Sequence, residues 1–151
     1  MAETTSPCTC FHLRRATRRV SQIYDRELGA LDLSHNQSSI LRRTSEAPRA
    51  LGDLADALGM DRSTLSRNLK PLLDEGWLQE VRGDDARQRL LQLSDSGRAR
   101  LQMARPHWKR AQKQIDEAFG TDAVARLHAE LQALTDSLGP QIKEAFGGPY
   151  I

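Results

Sequence analysis

Aromatic residues make up only 5% of the 151-residue chain, and cysteine occurs just twice. With so few aromatics, a core must be built mainly from leucine and alanine. Cys8 and Cys10 stand one residue apart, which excludes a disulfide framework and fits a reducing compartment. No apolar run approaches the roughly 18 residues that span a bilayer, so no membrane partner is expected. Met1–Thr9 lacks a basic stretch followed by an apolar one, so no secretory signal is expected and the expected location is the cytoplasm. Charge of one sign is not in excess either: 22 Lys and Arg stand against 20 Asp and Glu, a net charge of +2. That excludes a histone-like polycation, and any nucleic-acid binding has to come from local basic patches. There is no G-x-S-x-G, no H-E-x-x-H, no phosphate loop and no nucleophile–base pair at a convincing spacing. An enzyme is therefore not expected, nor a cofactor or a resident metal.

What is present is a polar, foldable composition. Hydrophobic residues are 38% and charged residues 28%, which suits one domain with helical extensions rather than a disordered chain. The cations are 18 arginines and four lysines, and eight of those arginines fall in residues 1–50 against five acids. Arginine suits bidentate contact with phosphate or guanine, although a GC-rich coding sequence produces the same bias.

Periodicity divides the chain into helices and one hairpin. Leu13, Ala16, Val20, Ile23, Tyr24 and Leu28 recur at three and four, an amphipathic helix over Cys10–Leu28 that Gly29 weakens. Ser34 is a good N-cap for a second helix, His35 to Thr44, which the Ser45–Arg49 stretch with Pro48 breaks. A third helix spans Leu51–Leu58 and ends at Gly59. Asp61 caps a fourth, from Arg62 to about Glu75, closed by Gly76. Trp77–Arg82 and Arg89–Leu93 read as strands joined by the charged tip Gly83-Asp84-Asp85-Ala86-Arg87-Gln88. Ser94 opens a long helix that contains Pro106, expected to kink it, and stops at Gly120. Thr121 or Asp122 caps a last helix, whose Val124, Leu127, Leu131, Leu134 and Leu138 form a narrow seam suited to another helix.

Two short helices around Gly59-Met60, followed by a hairpin with a basic tip, form a winged helix-turn-helix pattern. In that geometry the second helix enters the major groove N-terminus first. Here it presents Arg62, Ser63, Thr64, Ser66, Arg67 and Lys70, which can reach phosphates and base edges, and the hairpin adds Arg82, Arg87 and Arg89. An ordinary Ser- and Arg-rich helix surface would show similar residues, so the hairpin and the long flanking helices carry the distinction.

Over about residues 10–140 the chain resembles the MarR family, the multiple-antibiotic-resistance regulators. The most specific block is Asp85-Ala86-Arg87 followed by Leu90-Leu91-Gln92-Leu93-Ser94-Asp95-Ser96-Gly97, similar to the family's D-x-R, strand and L-[TS]-x-x-G pattern. Leu51–Asp61, Thr64–Leu69, Asp74-Glu75-Gly76-Trp77-Leu78 and Leu33-Ser34-His35-Asn36-Gln37 match further blocks. Pro71 inside the recognition helix and a short wing loop depart from the pattern. The resemblance implies a homodimeric transcription regulator, a repressor binding double-stranded DNA at a pseudo-palindromic operator and released by a small ligand or thiol oxidation. It implies that Arg87 reaches into the minor groove with Asp85 orienting it.

The expected fold is mainly α with a small β-hairpin wing, flanked by long N- and C-terminal dimerisation helices. The expected divisions are a tail at 1–9, supporting and dimerising helices at 10–45, the winged module at 46–98 and C-terminal dimerisation helices at 99–146. The resemblance also implies a small-molecule pocket between the first, second and fifth helices. Candidates for it are Arg14, Arg18, His35, Gln37, Ser38, Met103 and Trp108, each of which could equally be an ordinary surface or core residue. Cys8 and Cys10, with His12, Arg14 and Arg15 just downstream, could form a redox sensor or a soft-metal site, or be incidental. A disulfide within Cys-x-Cys is strained, so oxidation is expected to link subunits instead. The alternative function is a protein-interaction module, or a thiol or metal sensor, without direct sequence-specific DNA binding.

Overall fold

The computed structural model of the chain describes residues 6–140. Residues 1–5 of the expected tail and 141–146 of the expected C-terminal segment lie outside them. The helices are α1 (Thr9–Leu28), α2 (His35–Glu46), α3 (Leu51–Leu58), α4 (Arg62–Asp74), α5 (Asp95–Phe119) and α6 (Thr121–Leu138). The strands are β1 (Arg49–Ala50), β2 (Leu78–Arg82) and β3 (Arg89–Leu93). The chain forms two compact units, one up to Ile115 and one from Asp116 onward.

Local chemistry sets the ends of most elements in the first unit. Gly29 does not stop the chain after α1; it continues as a 3-10 turn, Gly29–Leu31, which Asp32 ends in the left-handed region at φ 55°. Ser34 then starts α2 with a reciprocal cap. Its hydroxyl accepts the Gln37 amide at 3.1 Å, and the Gln37 side chain accepts the Ser34 amide at 3.0 Å. At the end of α3, Gly59 sits at φ 62° while its N–H bonds Asp56 and that of Met60 bonds Ala55. The same motif closes α4: Gly76 lies at φ 73°, its N–H bonds Leu73, and the Trp77 N–H bonds Leu72. Trp77 belongs to that closure, so β2 begins at Leu78, one residue later than expected. Pro71 and Pro106 each lack an amide donor, yet α4 and α5 run through them as single helices.

The sheet is antiparallel with strand order β1-β3-β2. The expected two-stranded hairpin is correct, but the third strand was not expected. Pro48 disfavours helix at Ala47, which is extended at φ −168°, and the next residues pair Arg49 with Leu91 and Ala50 with Leu90. A two-residue strand is too short to show alternation.

Leucines and one isoleucine carry this unit's core, with Leu28, Ile40, Leu41, Leu54, Leu65, Leu72 and Leu78 fully buried. Each such side chain contributes about 1.5–3 kcal/mol. Tyr24 and Trp77 are the buried aromatics. From α5, Gly97, Ala104 and Ala111 face inward, and these small residues let the helix approach closely. At Gly97 the approach is extreme, because a β-carbon there would lie 2.0 Å from the Trp77 carbonyl oxygen.

In the second unit, α6 starts after Gly120, at φ 101°, and has no side-chain cap. The expected cap at Thr121 or Asp122 is therefore corrected. Both lie inside the first turn, where Asp122 faces the positive end of the helix dipole. Val124 is buried, but Leu127 and Leu138 are 43% and 77% exposed, so much of the expected apolar seam is open in the single chain.

Candidate nucleic-acid interface

The start of α4 is organised by one carboxylate. Asp61 accepts the Thr64 amide at 2.7 Å, the Ser63 hydroxyl at 2.7 Å and the Thr64 hydroxyl at 2.9 Å. Those hydrogen bonds, with the charge of Arg67 a lesser contribution, hold the Asp61 carboxyl at about 2, below its ordinary 3.8. Thr64 extends the network, since its hydroxyl oxygen accepts from Arg67 Nη2 at 3.4 Å. The result is an exposed guanidinium held over the first turn. Arg62 leans the other way: its Nη2 is 3.5 Å from where a β-carbon on Gly52 would stand, at the start of α3. In the sequence Asp61 reads as a helix cap only. The Asp-x-Ser-Thr spacing was the available signal that it also fixes the two hydroxyls.

The hairpin tip is ordered through its backbone. Asp85 accepts the Arg87 amide on its side chain at 3.1 Å and the Gln88 amide on its carbonyl at 2.9 Å, while the Gly83 amide bonds the Gln88 carbonyl at 2.8 Å. The Arg87 side chain is exposed and forms no salt bridge among the described residues. Arg82 and Arg89 are register partners across β2 and β3, and Arg89 pairs with Glu80 at 3.4 Å. Between α4 and the hairpin lies a groove of about 350 Å³ with a leucine floor. Ser66, Lys70 and Arg89 meet at it, with Lys70 also paired to Asp74 at 2.7 Å. Arg62, Ser63, Thr64 and Arg67 lie at the front of α4, and Arg82 and Arg87 lie on the hairpin. The nine expected contacts thus fall on one helix and the adjacent wing.

A second cleft, of about 550 Å³, opens between α2 and α5. Of the expected pocket residues it brings together only Ser38 and Trp108, alongside Ser39, Arg42, Leu101, Gln102, Arg105 and Lys109. Arg14 and Arg18 are exposed on α1, Met103 is 53% exposed, and neither they nor Gln37 line the cleft. Gln37 is used in the α2 cap. His35 instead faces Tyr24, with ring centroids 4.7 Å apart. Its amide N–H bonds the Asp25 side chain at 2.7 Å; burial lowers its ring pKa and the Asp25 charge opposes that. The three cations of the cleft were missed because Arg42 belongs to a distant stretch of chain from Arg105 and Lys109. The four-residue spacing of that last pair beside Trp108 was the only sequence hint. Cys8 and Cys10 are both exposed free thiols, and Arg14 Nη2 lies 3.7 Å from Cys10 Sγ. Among the described residues no three His, Cys, Asp or Glu side chains group as a metal site. None of the described helices is long and apolar enough to cross a membrane.

A sequence profile of the MarR family matches residues 31–89. The crystal structure of the M. tuberculosis transcriptional regulator MosR superposes with a TM-score of 0.74 at 31% identity, covering 87% of this chain and 98% of that one. The chain belongs to the MarR family. Two further MarR-type structures contain DNA. One is MosR in complex with DNA, at 33% identity, TM-score 0.68 and coverage of 84% and 98%. The other is the transcriptional repressor CouR bound to a 23-mer duplex, at 27% identity, TM-score 0.76 and coverage of 84% and 92%. No curated protein sequence matches this member of the family at a significant level.

Proposed function

We propose that this chain is a DNA-binding transcriptional repressor, active as a homodimer on a pseudo-palindromic operator in the cytoplasm, and not an enzyme. The observation that carries the reading is the pairing of an ordered Asp61–Thr64–Arg67 network at the front of α4 with a backbone-braced wing whose exposed Arg87 forms no salt bridge among the described residues. One element suits base edges in the major groove and the other a narrow minor groove. The MosR and CouR complexes with DNA support it from related chains. The exposed Leu127 and Leu138 of α6, with Phe11, Leu13 and Val20 of α1, give apolar surface for a second copy. Residues 46–98 serve as the DNA module, with 10–45 and 99–146 as support and dimer contacts.

Release from DNA is assigned to one of two inputs. The cleft between α2 and α5 carries three cations, two hydroxyls and an indole, which suits a small aromatic or carboxylate anion. The exposed thiol of Cys10 has a cation beside it, which suits oxidation. The deciding experiment is selection of duplexes from a random-sequence pool by the purified protein, together with sedimentation at micromolar concentration. Enrichment of an inverted repeat and about twice the chain mass are expected. No enriched sequence, or a clean monomer, rejects the reading.

A further inference from the structure

Trp77 is where three parts of the first unit are fastened. Its N–H closes α4 by bonding the Leu72 carbonyl, and its own carbonyl accepts the Ser94 amide at 3.0 Å. The next residue begins β2. The start of α5 is bolted to the same turn, because the Ser94 and Ser96 hydroxyls both donate to the Gly76 carbonyl, at 2.6 and 3.1 Å. The angle between α4 and the wing is thus set at Gly76-Trp77.

One side chain reaches beyond that turn. The Arg100 guanidinium stacks over the Trp77 ring at 4.5 Å from its centroid, and its Nη1 donates to the Leu31 carbonyl at 3.3 Å. Leu31 ends the 3-10 turn between α1 and α2. Arg100 therefore ties the junction of α1 and α2 to the indole at the base of both DNA-reading elements. Only arginine combines a planar face for the indole with a rigid fork of donors for the carbonyl. Its neighbour Leu101 lines the cleft between α2 and α5, so the tie runs beside that cleft.

We infer that Arg100 is a positioning residue for operator recognition: it fixes the relative setting of α4 and the wing without touching DNA. The inference rests on the DNA-binding reading above. A group that sets geometry matters for a site that must fit base edges, and little for sliding contacts with phosphate alone. A group that merely adds charge affects both alike.

The test compares Arg100→Met, which keeps length but removes charge, stack and donor, with Arg100→Lys and Trp77→Phe. The probes are a duplex enriched by the wild-type protein and an unrelated duplex of equal length, with affinities taken on the folded fraction. Arg100→Met should lower affinity for the enriched duplex by about tenfold and for the unrelated one by under about twofold. Arg100→Lys, which keeps a donor and a cation, should recover part of the loss. Trp77→Phe, which keeps a smaller aromatic face, should lose specificity less than Arg100→Met and covers the case in which that variant does not fold. An unchanged ratio of the two affinities in Arg100→Met, or in Trp77→Phe and Arg100→Lys if it fails to fold, overturns the inference while leaving DNA binding intact. A wild-type protein that enriches no sequence overturns the DNA-binding reading and this inference together.

Discussion

Asp85 holds Arg87 by its backbone: the carboxylate accepts the Arg87 amide N–H at 3.1 Å, and no salt bridge joins the two side chains. The resemblance implied an orienting role for Asp85; the contact between the two residues is with the backbone of the turn and not with the guanidinium. Asp85→Asn keeps an acceptor and removes a negative charge, so operator affinity should be retained or rise. Asp85→Ala removes the brace, so affinity should fall despite the same charge change. Arg87→Ala should weaken binding and reduce the salt slope by about one unit. Titrations of a labelled duplex at several salt concentrations check all three, and tighter binding by Asp85→Ala would reduce Asp85 to a repulsive charge.

Arg67→Ala should cost about 1–3 kcal/mol of specific binding if the guanidinium meets a base bidentately. Thr64→Val should cost less, because it loosens Arg67 without removing it, the contact being 3.4 Å. Equal affinity and equal operator preference in Arg67→Ala would move base readout elsewhere on α4.

The cap of α4 should be visible in acid. The folded-state pKa of Asp61 is about 2 against an ordinary 3.8. A depressed carboxyl stabilises the fold fully above its unfolded value and loses that contribution as pH falls through the folded one. The gap in melting temperature between wild type and Asp61→Ala should therefore be constant near neutrality and shrink from about pH 3.8 toward pH 2. Thermal melts across that window check it, and a gap that does not narrow rejects the carboxylate as its source.

Gly97→Ala should destabilise the fold by about 1–3 kcal/mol or more, because the new carbon meets backbone rather than a side chain that could turn aside. Urea unfolding measures this directly. An unchanged midpoint would mean that α5 can shift away from Trp77 at no cost.

Peroxide should weaken operator binding by the wild-type protein and leave Cys10→Ser unaffected, given the cation 3.7 Å from that thiol. Non-reducing gels should then show a linked dimer. The same response in wild type, Cys8→Ser and Cys10→Ser would reject Cys10 as the sensing thiol.

Much of the architecture was legible because it is written in local chemistry. Ser34, Gly59, Asp61 and Gly76 mark element ends through bonds that reach only three or five residues along the chain. The same locality explains the failures. Strand β1 exists only because Arg49 and Ala50 find Leu91 and Leu90, forty or more residues away. The cap of α6 went to Gly120 because a glycine can adopt φ 101°, a choice that side-chain propensity does not reveal. Arg67 and Arg87 were visible as types in a pattern, but which atoms hold them was not. Arg42 meets Arg105 and Lys109 only after α2 and α5 have docked, so spacing could hint at the pair on α5 but could not join Arg42 to it.

The Asp61 network also restricts what the operator can offer. A serine or threonine hydroxyl has a single proton to donate, and those of Ser63 and Thr64 are directed to the carboxylate. In a complex that keeps these bonds, both hydroxyls face DNA as acceptors alone. They can then take a hydrogen bond from the exocyclic amino group of adenine or cytosine, whereas O6 and N7 of guanine offer them nothing. If Arg67, one turn further along, is the residue that meets a guanine, each half-site should place an amino-bearing base beside that guanine.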